Sequence, residues 1–155
     1  MRRTERRWLI AAASVAALTA GVPAGACTIS ATGVAFGAYD PRAAGPDDGT
    51  GSIVLLCHPN TSSPSIALSS GGSGSFSMRR MVSGATQLNY NLYTSSSRTI
   101  VWGDGSGGTA TVSPPDGGVS AGRRRFSADI FGRIPALQNA RAGTYVDTVV
   151  VTVTF

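Results

Sequence analysis

The strongest constraint on the fold is the alternating run of residues at the carboxyl end of the chain. Between Thr144 and Phe155, the apolar residues Val149, Val151, Val153 and Phe155 share one face and threonines dominate the other. This period of two predicts a β-strand with one buried face. A strand this apolar needs a neighbour along each edge, which either an upstream strand or another polypeptide must supply. The pattern therefore favours assembly over catalysis.

The amino end has the three parts of a secretory signal peptide. Four arginines within the first seven residues precede an apolar stretch at 8–18, and Ala24-Gly25-Ala26 offers a small-residue cleavage site. We predict a signal peptide at residues 1–26 and one domain at residues 27–155. The chain is expected to be exported, through a periplasm, to the cell surface or the medium.

The composition of residues 27–155 favours strands and argues against nucleic-acid binding. Nine arginines face seven aspartates, with no lysine and no glutamate, so the high pI of 10.0 owes much to the signal peptide. A net charge this small gives no basic footprint for nucleic acid. The abundant glycine, serine, threonine and valine suit strands joined by turns.

The two cysteines are expected to pair in an oxidising compartment. A Cys27–Cys57 disulfide would contribute about 3 to 4 kcal/mol on the chain-entropy model. The alternative is lipidation of Cys27, which follows a small-residue cleavage site and could not then pair. Ala24 stands where a lipoprotein signal prefers leucine, and this favours the disulfide.

Short apolar runs separated by turn residues predict an all-β, two-sheet sandwich. Gly33 lies where the apolar face changes parity, which predicts a bulge. The run Ser52–Cys57 is apolar throughout and predicts a central strand buried on both faces. The predicted strands are 27–36, 52–57, 65–68, 88–93, 99–102, 109–112, 124–134 and 144–155; the loops between them include 39–51, 69–75, 114–122 and 135–143.

Several runs match a known family in order along the chain. They are CTISATGVAFGAYDP at 27–41, residues 51–57, LNYNLY at 88–93, TIVWGDG at 99–105, FGRIP at 131–135 and residues 143–155. In these runs the chain resembles the spore coat protein U domain family, which includes subunits of archaic chaperone–usher pili.

This resemblance implies an immunoglobulin-like sandwich that lacks its last strand. A periplasmic pilus chaperone would lend a strand, an outer-membrane usher would receive the complex, and a neighbouring pilus subunit would then supply the strand in the fibre. Val149, Val151, Val153 and Phe155 would line the receiving edge. The resemblance also implies a Cys27–Cys57 bridge between the first two strands.

One difference from polymerising pilins concerns the donor arm that precedes their first cysteine. Cleavage after Ala26 would make Cys27 the first residue, and cleavage after Ala17 or Ala20 would leave only a short piece broken by Pro23. We therefore expect a subunit that accepts a strand but donates none. Such a subunit would cap a fibre tip or act outside a fibre.

We interpret the remaining motifs as parts of the fold rather than as metal, ligand or catalytic sites. His58 is the only histidine and has no metal-ligand spacing around it, and the glycine-rich run at 103–108 lacks the ending of a phosphate loop. The run 123–125 is three arginines, which we interpret as a solvated strand edge rather than a binding site for acidic surfaces. Trp102 and Tyr93 are interpreted as core aromatics rather than sugar-binding ones. We expect no catalytic residues, metal or small-molecule cofactor.

The sequence thus predicts a non-enzymatic, structural or adhesive subunit of a chaperone–usher surface fibre. The alternative is a stand-alone secreted or coat-type protein of the same fold.

Overall fold

The computed structural model describes residues 6–11 and 27–155, and its regular structure is almost entirely β-strand. A single turn of 3-10 helix lies at Gly71–Ser73. No helix within the two described ranges is long and apolar enough to cross a membrane. The strands are β1 (Arg6–Ala11), β2 (Thr28–Ala35), β3 (Asp47–Cys57), β4 (Ser65–Leu68), β5 (Arg79–Ser83), β6 (Thr86–Tyr93), β7 (Asp116–Ser120), β8 (Arg123–Ile134) and β9 (Thr148–Thr154).

Two antiparallel sheets form the sandwich. The smaller has the order β1-β9-β4 and the larger has the order β2-β3-β8-β6-β5, with β7 paired to part of β8. Alternate residues of both sheets point inward and bury an apolar core, as two-sheet packing requires. The predicted all-β sandwich is confirmed. Fully buried side chains of this core include Ile53, Leu55, Ile66, Leu68, Trp102, Phe126, Ile134, Val151 and Val153.

Cys27 and Cys57 form a disulfide, with their Cα atoms 4.0 Å apart. The bond ties the residue before β2 to the last residue of β3. The predicted pairing is confirmed.

β3 is longer than predicted and is buried on one face only. It begins at Asp47 rather than Ser52, because Gly49 and Gly51 continue the pairing with β8. Leu56 is 37% exposed, so the prediction of a strand buried on both faces is wrong.

The second half of the chain contains further differences from the prediction. β7 lies inside the predicted loop 114–122, and all five of its residues are exposed. The predicted strands at 99–102 and 109–112 make only isolated bridges, such as Trp102 with Ala110. β5 was not predicted, whereas β4 has the predicted bounds and β8 starts one residue earlier.

Candidate functional site

Three valines of β9 face the interior of the sandwich. Val149, Val151 and Val153 are 5%, 0% and 1% exposed, and the threonines at both ends of the strand are exposed. The alternation predicted from the sequence is therefore present. Phe155, the fourth predicted residue of this face, lies beyond the end of β9 and is 55% exposed. The structure does not bring it together with the valines.

β9 has a neighbour on each edge in the full-length chain. On one side it pairs with β4, from Ser65 opposite Thr154 to Leu68 opposite Val151. On the other side β1 runs antiparallel along it for six residues. The sequence left two alternatives for the neighbours of β9, an upstream strand or another polypeptide. In this chain both neighbours are upstream strands, and the second one is β1. That strand lies within the predicted signal peptide, and among the strands of residues 27–155 only β4 pairs with β9.

β1 pairs with β9 and also contacts β2, and we call the space between β9 and β2 the cleft. The register of β2 against β3 shifts between Thr32 and Ala35, which confirms the predicted bulge near Gly33. Val34, within the shift, is 6% exposed and belongs to the core.

Glycines of the larger sheet make room for the side chains at this rim. A Cβ atom on Gly132 would lie 2.6 Å from Phe36 and 2.7 Å from Val34, and one on Gly49 would lie 2.8 Å from Val34. Any larger residue at these positions would push the rim of the cleft outward.

Tyr90 of β6 joins the two rims of the cleft at one end. Its ring packs edge-on against Phe36, with centroids 6.0 Å apart, and its Oη donates a 2.7 Å hydrogen bond to Asp147 Oδ2. Burial, and then this hydrogen bond to a carboxylate, raise the pKa of Tyr90. The phenol therefore stays protonated at neutral pH and remains a donor.

Asp147 is held where the chain crosses from one sheet to the other. Its Oδ1 accepts hydrogen bonds from the main-chain N–H groups of Gly72, at 2.9 Å, and Thr148, at 2.8 Å. One residue earlier, Val146 exchanges two main-chain hydrogen bonds with Val82 of β5. The backbone thus leaves the larger sheet at Val146 and joins β9 at Thr148.

A small cavity of about 20 Å³ lies at this end of the cleft. It has room for about one water-sized group. We call it the end cavity, and its lining is apolar except for one carboxylate and one phenol: Val34, Phe36, Leu68, Tyr90, Leu92, Ile130, Asp147 and Val149.

Comparison with known proteins gives a family for this architecture. The model of the Spore Coat Protein U domain matches residues 12–152. The chain belongs to the spore coat protein U domain family. Protein U of Myxococcus xanthus is 36% identical to this chain, in an alignment that covers 84% of this chain and 78% of Protein U.

A solved structure with the same fold comes from a pilus system of Acinetobacter baumannii. It is the CsuC–CsuE chaperone–tip adhesion subunit pre-assembly complex of archaic chaperone–usher Csu pili. The similarity has a TM-score of 0.60 and 27% identity over 85% of this chain. It spans only 40% of the length of the matched chain.

In this spore coat protein U domain, a buried arginine lies near the end cavity. Arg79 is 0% exposed and donates to the main-chain oxygens of Ser69 and Trp102 and to Asn91 Oδ1, at 2.7–3.0 Å. Its guanidinium also lies 5.4 Å from the ring centroid of Phe76. Sequence analysis missed both Arg79 and Asp147. A charged residue beside an apolar run, as in Val146-Asp147-Thr148, is the signal that could have found the second.

Two further motifs noted in the sequence, His58 and the glycine-rich run at 103–108, make local hydrogen bonds. His58 is exposed, and its Nδ1 accepts a hydrogen bond from the N–H of Asn60, at 3.3 Å. Asp104 accepts hydrogen bonds from Ser106 within the glycine-rich turn, which lowers the pKa of this carboxyl. Within the described residues, no three His, Cys, Asp or Glu side chains group as metal ligands.

Two of the three consecutive arginines donate hydrogen bonds to main-chain oxygens of other segments. Arg123 donates to the oxygen of Leu56, at 3.0 Å, and Arg124 donates to the oxygen of Thr61, also at 3.0 Å. Trp102 is fully buried and donates through Nε1 to the oxygen of Ile66. It therefore belongs to the core, as predicted.

Proposed function

We propose that residues 27–155 form a structural subunit of a chaperone–usher surface fibre, completed by a strand that another polypeptide adds along β9. The observation that carries this proposal is the pairing of β1 with β9 over Thr148–Val153. The edge accepts a strand, and the strand it accepts in the full-length chain comes from the predicted signal peptide. Removal of that segment would expose the edge.

The chemistry of β9 suits strand addition. An added strand gains main-chain hydrogen bonds along the edge and covers the buried face formed by Val149, Val151 and Val153. Covering each such side chain is worth about 2 kcal/mol. Left open, an apolar edge of this kind is prone to aggregation.

The relatives support the choice of partners. The spore coat protein U match and the resemblance to a chain in a chaperone–tip adhesion subunit complex both support an exported pilus subunit. We therefore propose a periplasmic pilus chaperone, an outer-membrane usher and neighbouring pilus subunits as partners, and a role in adhesion rather than catalysis.

The position in the fibre is proposed to be the tip. Cleavage after Ala26 would leave Cys27 as the first residue, and its disulfide to Cys57 holds that residue against the end of β3. A chain processed in this way would accept a strand without donating one. Mass spectrometry of the exported protein tests this, since an amino terminus well before Ala17 would restore a donor arm.

Export of the full-length chain with and without its chaperone tests the main proposal. We expect soluble protein to accumulate with the chaperone and to be lost without it. Val151→Asp should abolish recovery of the complex, because this fully buried side chain faces the interior that the added strand completes. Thr152→Asp, on the other face of the same strand, is the matched control and should retain the complex. Equal recovery of both variants would contradict the proposal.

A stand-alone coat-type protein is the second candidate. It is favoured by the relation to Protein U, whose identity of 36% exceeds the 27% identity to the pilus-system chain. A processed protein that stays monomeric, folded and soluble with neither a chaperone nor an added peptide would support this candidate.

A further inference from the structure

A groove of about 640 Å³ opens beside the end cavity, between the segment that ends β2 and the segment that precedes β9. We call it the loop groove. It shares Val34 and Phe36 with the end cavity. Its volume lies within the range of about 300 to 1,000 Å³ that ligand-binding clefts occupy in proteins. Its walls are residues 34–41 and 140–145, and its floor is formed by Met81, Leu88 and Ile134.

The floor of the loop groove is apolar, and the walls are built largely from small residues. Met81, Leu88 and Ile134 are buried members of the core. No side chain larger than a methyl group comes from six of the wall positions, which are Ala35, Gly37, Ala38, Ala140, Ala142 and Gly143. The groove therefore exists because these positions lack the side chains that would fill it.

Two tyrosine rings of the walls are fixed by hydrogen bonds within the protein. The Oη of Tyr39 donates to the main-chain oxygen of Pro135, at 2.9 Å, and accepts from the N–H of Gln138, at 2.8 Å. The Oη of Tyr145 donates to the main-chain oxygen of Arg141, at 2.9 Å. Both hydroxyls are thus used before any ligand binds, and walls held in place in advance reduce the cost of binding.

Arg141 is the one charged residue among the described residues that line the loop groove. It is exposed, and no ion pair within residues 27–155 involves it. A guanidinium group binds a carboxylate through paired hydrogen bonds. An apolar groove with a single cation at its wall matches a ligand that has an apolar body and one carboxylate.

A polypeptide strand is a poor match for the loop groove. β9 begins at Thr148, and just before it Val146 exchanges main-chain hydrogen bonds with Val82 of β5. No strand of the described residues borders the groove along 140–145. A peptide placed there would leave main-chain groups without partners, whereas an acyl chain has no such groups to satisfy.

We propose that the loop groove binds a free fatty acid, with its acyl chain against Met81, Leu88 and Ile134 and its carboxylate at Arg141. The inference goes beyond the proposed function and does not depend on it, because this ligand binds without any strand being added along β9.

Titration calorimetry of the full chain at neutral pH tests the ligand class, with octanoate, decanoate and decanol as probes. Decanoate is expected to bind about tenfold more tightly than octanoate, since two further methylene groups leave water. It should bind about threefold more tightly than decanol, because only the acid pairs with Arg141. Affinities that do not depend on chain length would overturn the inference.

Paired variants test the location of the site. Ala142→Trp places an indole in the loop groove and should weaken decanoate binding about tenfold, whereas Ala44→Trp, at an exposed position outside the groove, should not. Arg141→Met should abolish the preference for decanoate over decanol, and Arg125→Met, at an exposed arginine of β8, should retain it. Equal weakening by both tryptophan variants, or an unchanged preference in Arg141→Met, would overturn the assignment.

Vesicles of an anionic phospholipid distinguish a free acid from a lipid surface. The proposed ligand is a single acyl chain, so we expect decanoate to bind and the protein not to sediment with the vesicles. Sedimentation with vesicles in the absence of decanoate binding would overturn the inference. No binding of any probe would also overturn it and would leave the proposed function intact, since that function is measured by recovery of the chaperone complex.

Discussion

Arg79 donates a 2.7 Å hydrogen bond to the main-chain oxygen of Trp102, and both residues are completely buried. Burial lowers the pKa of Arg79, while the negative charge of Asp147 favours its charged form. An arginine nevertheless stays protonated in proteins. The guanidinium of Arg79 donates hydrogen bonds to the main-chain oxygens of Ser69 and Trp102, whereas the surrounding apolar side chains offer no donor.

Replacing Arg79 should therefore be costly. Arg79→Met leaves the main-chain oxygens of Ser69 and Trp102 without their side-chain donor and removes one of the two donors to Asn91 Oδ1, and we expect the free energy of unfolding to fall by about 3 kcal/mol. Arg80→Met, on the neighbouring residue whose Nη1 binds Gln87 at an exposed site, should cost less than about 1 kcal/mol. Urea unfolding of both variants measures this, and similar losses would contradict the proposed role.

Gly132 lies against Val34 and Phe36, so a larger residue at this position should clash with both side chains. Gly132→Ala places a Cβ atom within 2.6 Å of Phe36 and 2.7 Å of Val34, and should destabilise the protein by about 2 kcal/mol. Gly45→Ala is the control, since a Cβ there meets nothing within 4 Å. The double variant Gly132→Ala, Val34→Ala should lose less than the sum of its single variants, because the two sites touch. Strict additivity in thermal unfolding would argue against this contact.

Asp48 predicts a dependence of stability on pH. Two hydrogen bonds from Arg133, at 2.7 Å and 2.9 Å, and then the charges of Arg133 and Arg98 lower the pKa of Asp48. The folded state then binds fewer protons than the unfolded state, whose aspartate titrates near pH ~3.9. The stabilisation is present above that pH and is lost as the pH falls through the lower, folded-state pKa.

The comparison of wild type with Asp48→Asn measures this contribution. Since the carboxylate is 35% exposed, we expect a difference below about 1 kcal/mol at neutral pH. The difference should shrink below pH ~4. A stability difference between wild type and Asp48→Asn that grows as the pH falls would contradict the stabilising role of the ionised Asp48.

The disulfide predicts a redox-dependent stability. Reduction of Cys27–Cys57 should lower the free energy of unfolding by about 3 kcal/mol, since the bond restrains the unfolded chain. The double variant Cys27→Ala, Cys57→Ala should show the same loss without reductant and no further change with it. Denaturant melts with and without dithiothreitol make the comparison, and a reductant effect on the cysteine-free variant would discredit it.

Period-two patterns were enough to predict much of the fold. β4, β8, the bulge near Gly33 and the inward valines of β9 all follow from alternation and from glycine at a change of phase. These features are local, so a single sequence contains them.

The errors arose where neighbouring strands, rather than local pattern, decide the structure. Gly49 and Gly51 have the composition of a turn, but they pair with β8 and leave space for Val34. Asn91 continues the polar face predicted for β6, yet it is 7% exposed, because it accepts a hydrogen bond from Arg79 and donates one to Phe76. Partners distant in sequence cannot be read from alternation alone.

Periodicity predicted that Val149, Val151, Val153 and Phe155 share one face of a strand. The three valines do face inward from β9, while Phe155 lies beyond the end of the strand, and their role as a receiving edge stays a prediction. Tyr90 and Asp147 were not identified as partners, since their contact joins residues 57 positions apart.

The pairing of β4 with β9 has a consequence for the order of folding. Ser65 lies opposite Thr154, and β5 to β8 of the larger sheet are threaded between these two strands in the chain. Closing so long a loop is slow compared with zipping the hairpin of β5 and β6. We expect the smaller sheet to be the last to assemble. A newly made chain would then pass through an intermediate in which the valine-rich strand β9 is still exposed and can bind another polypeptide.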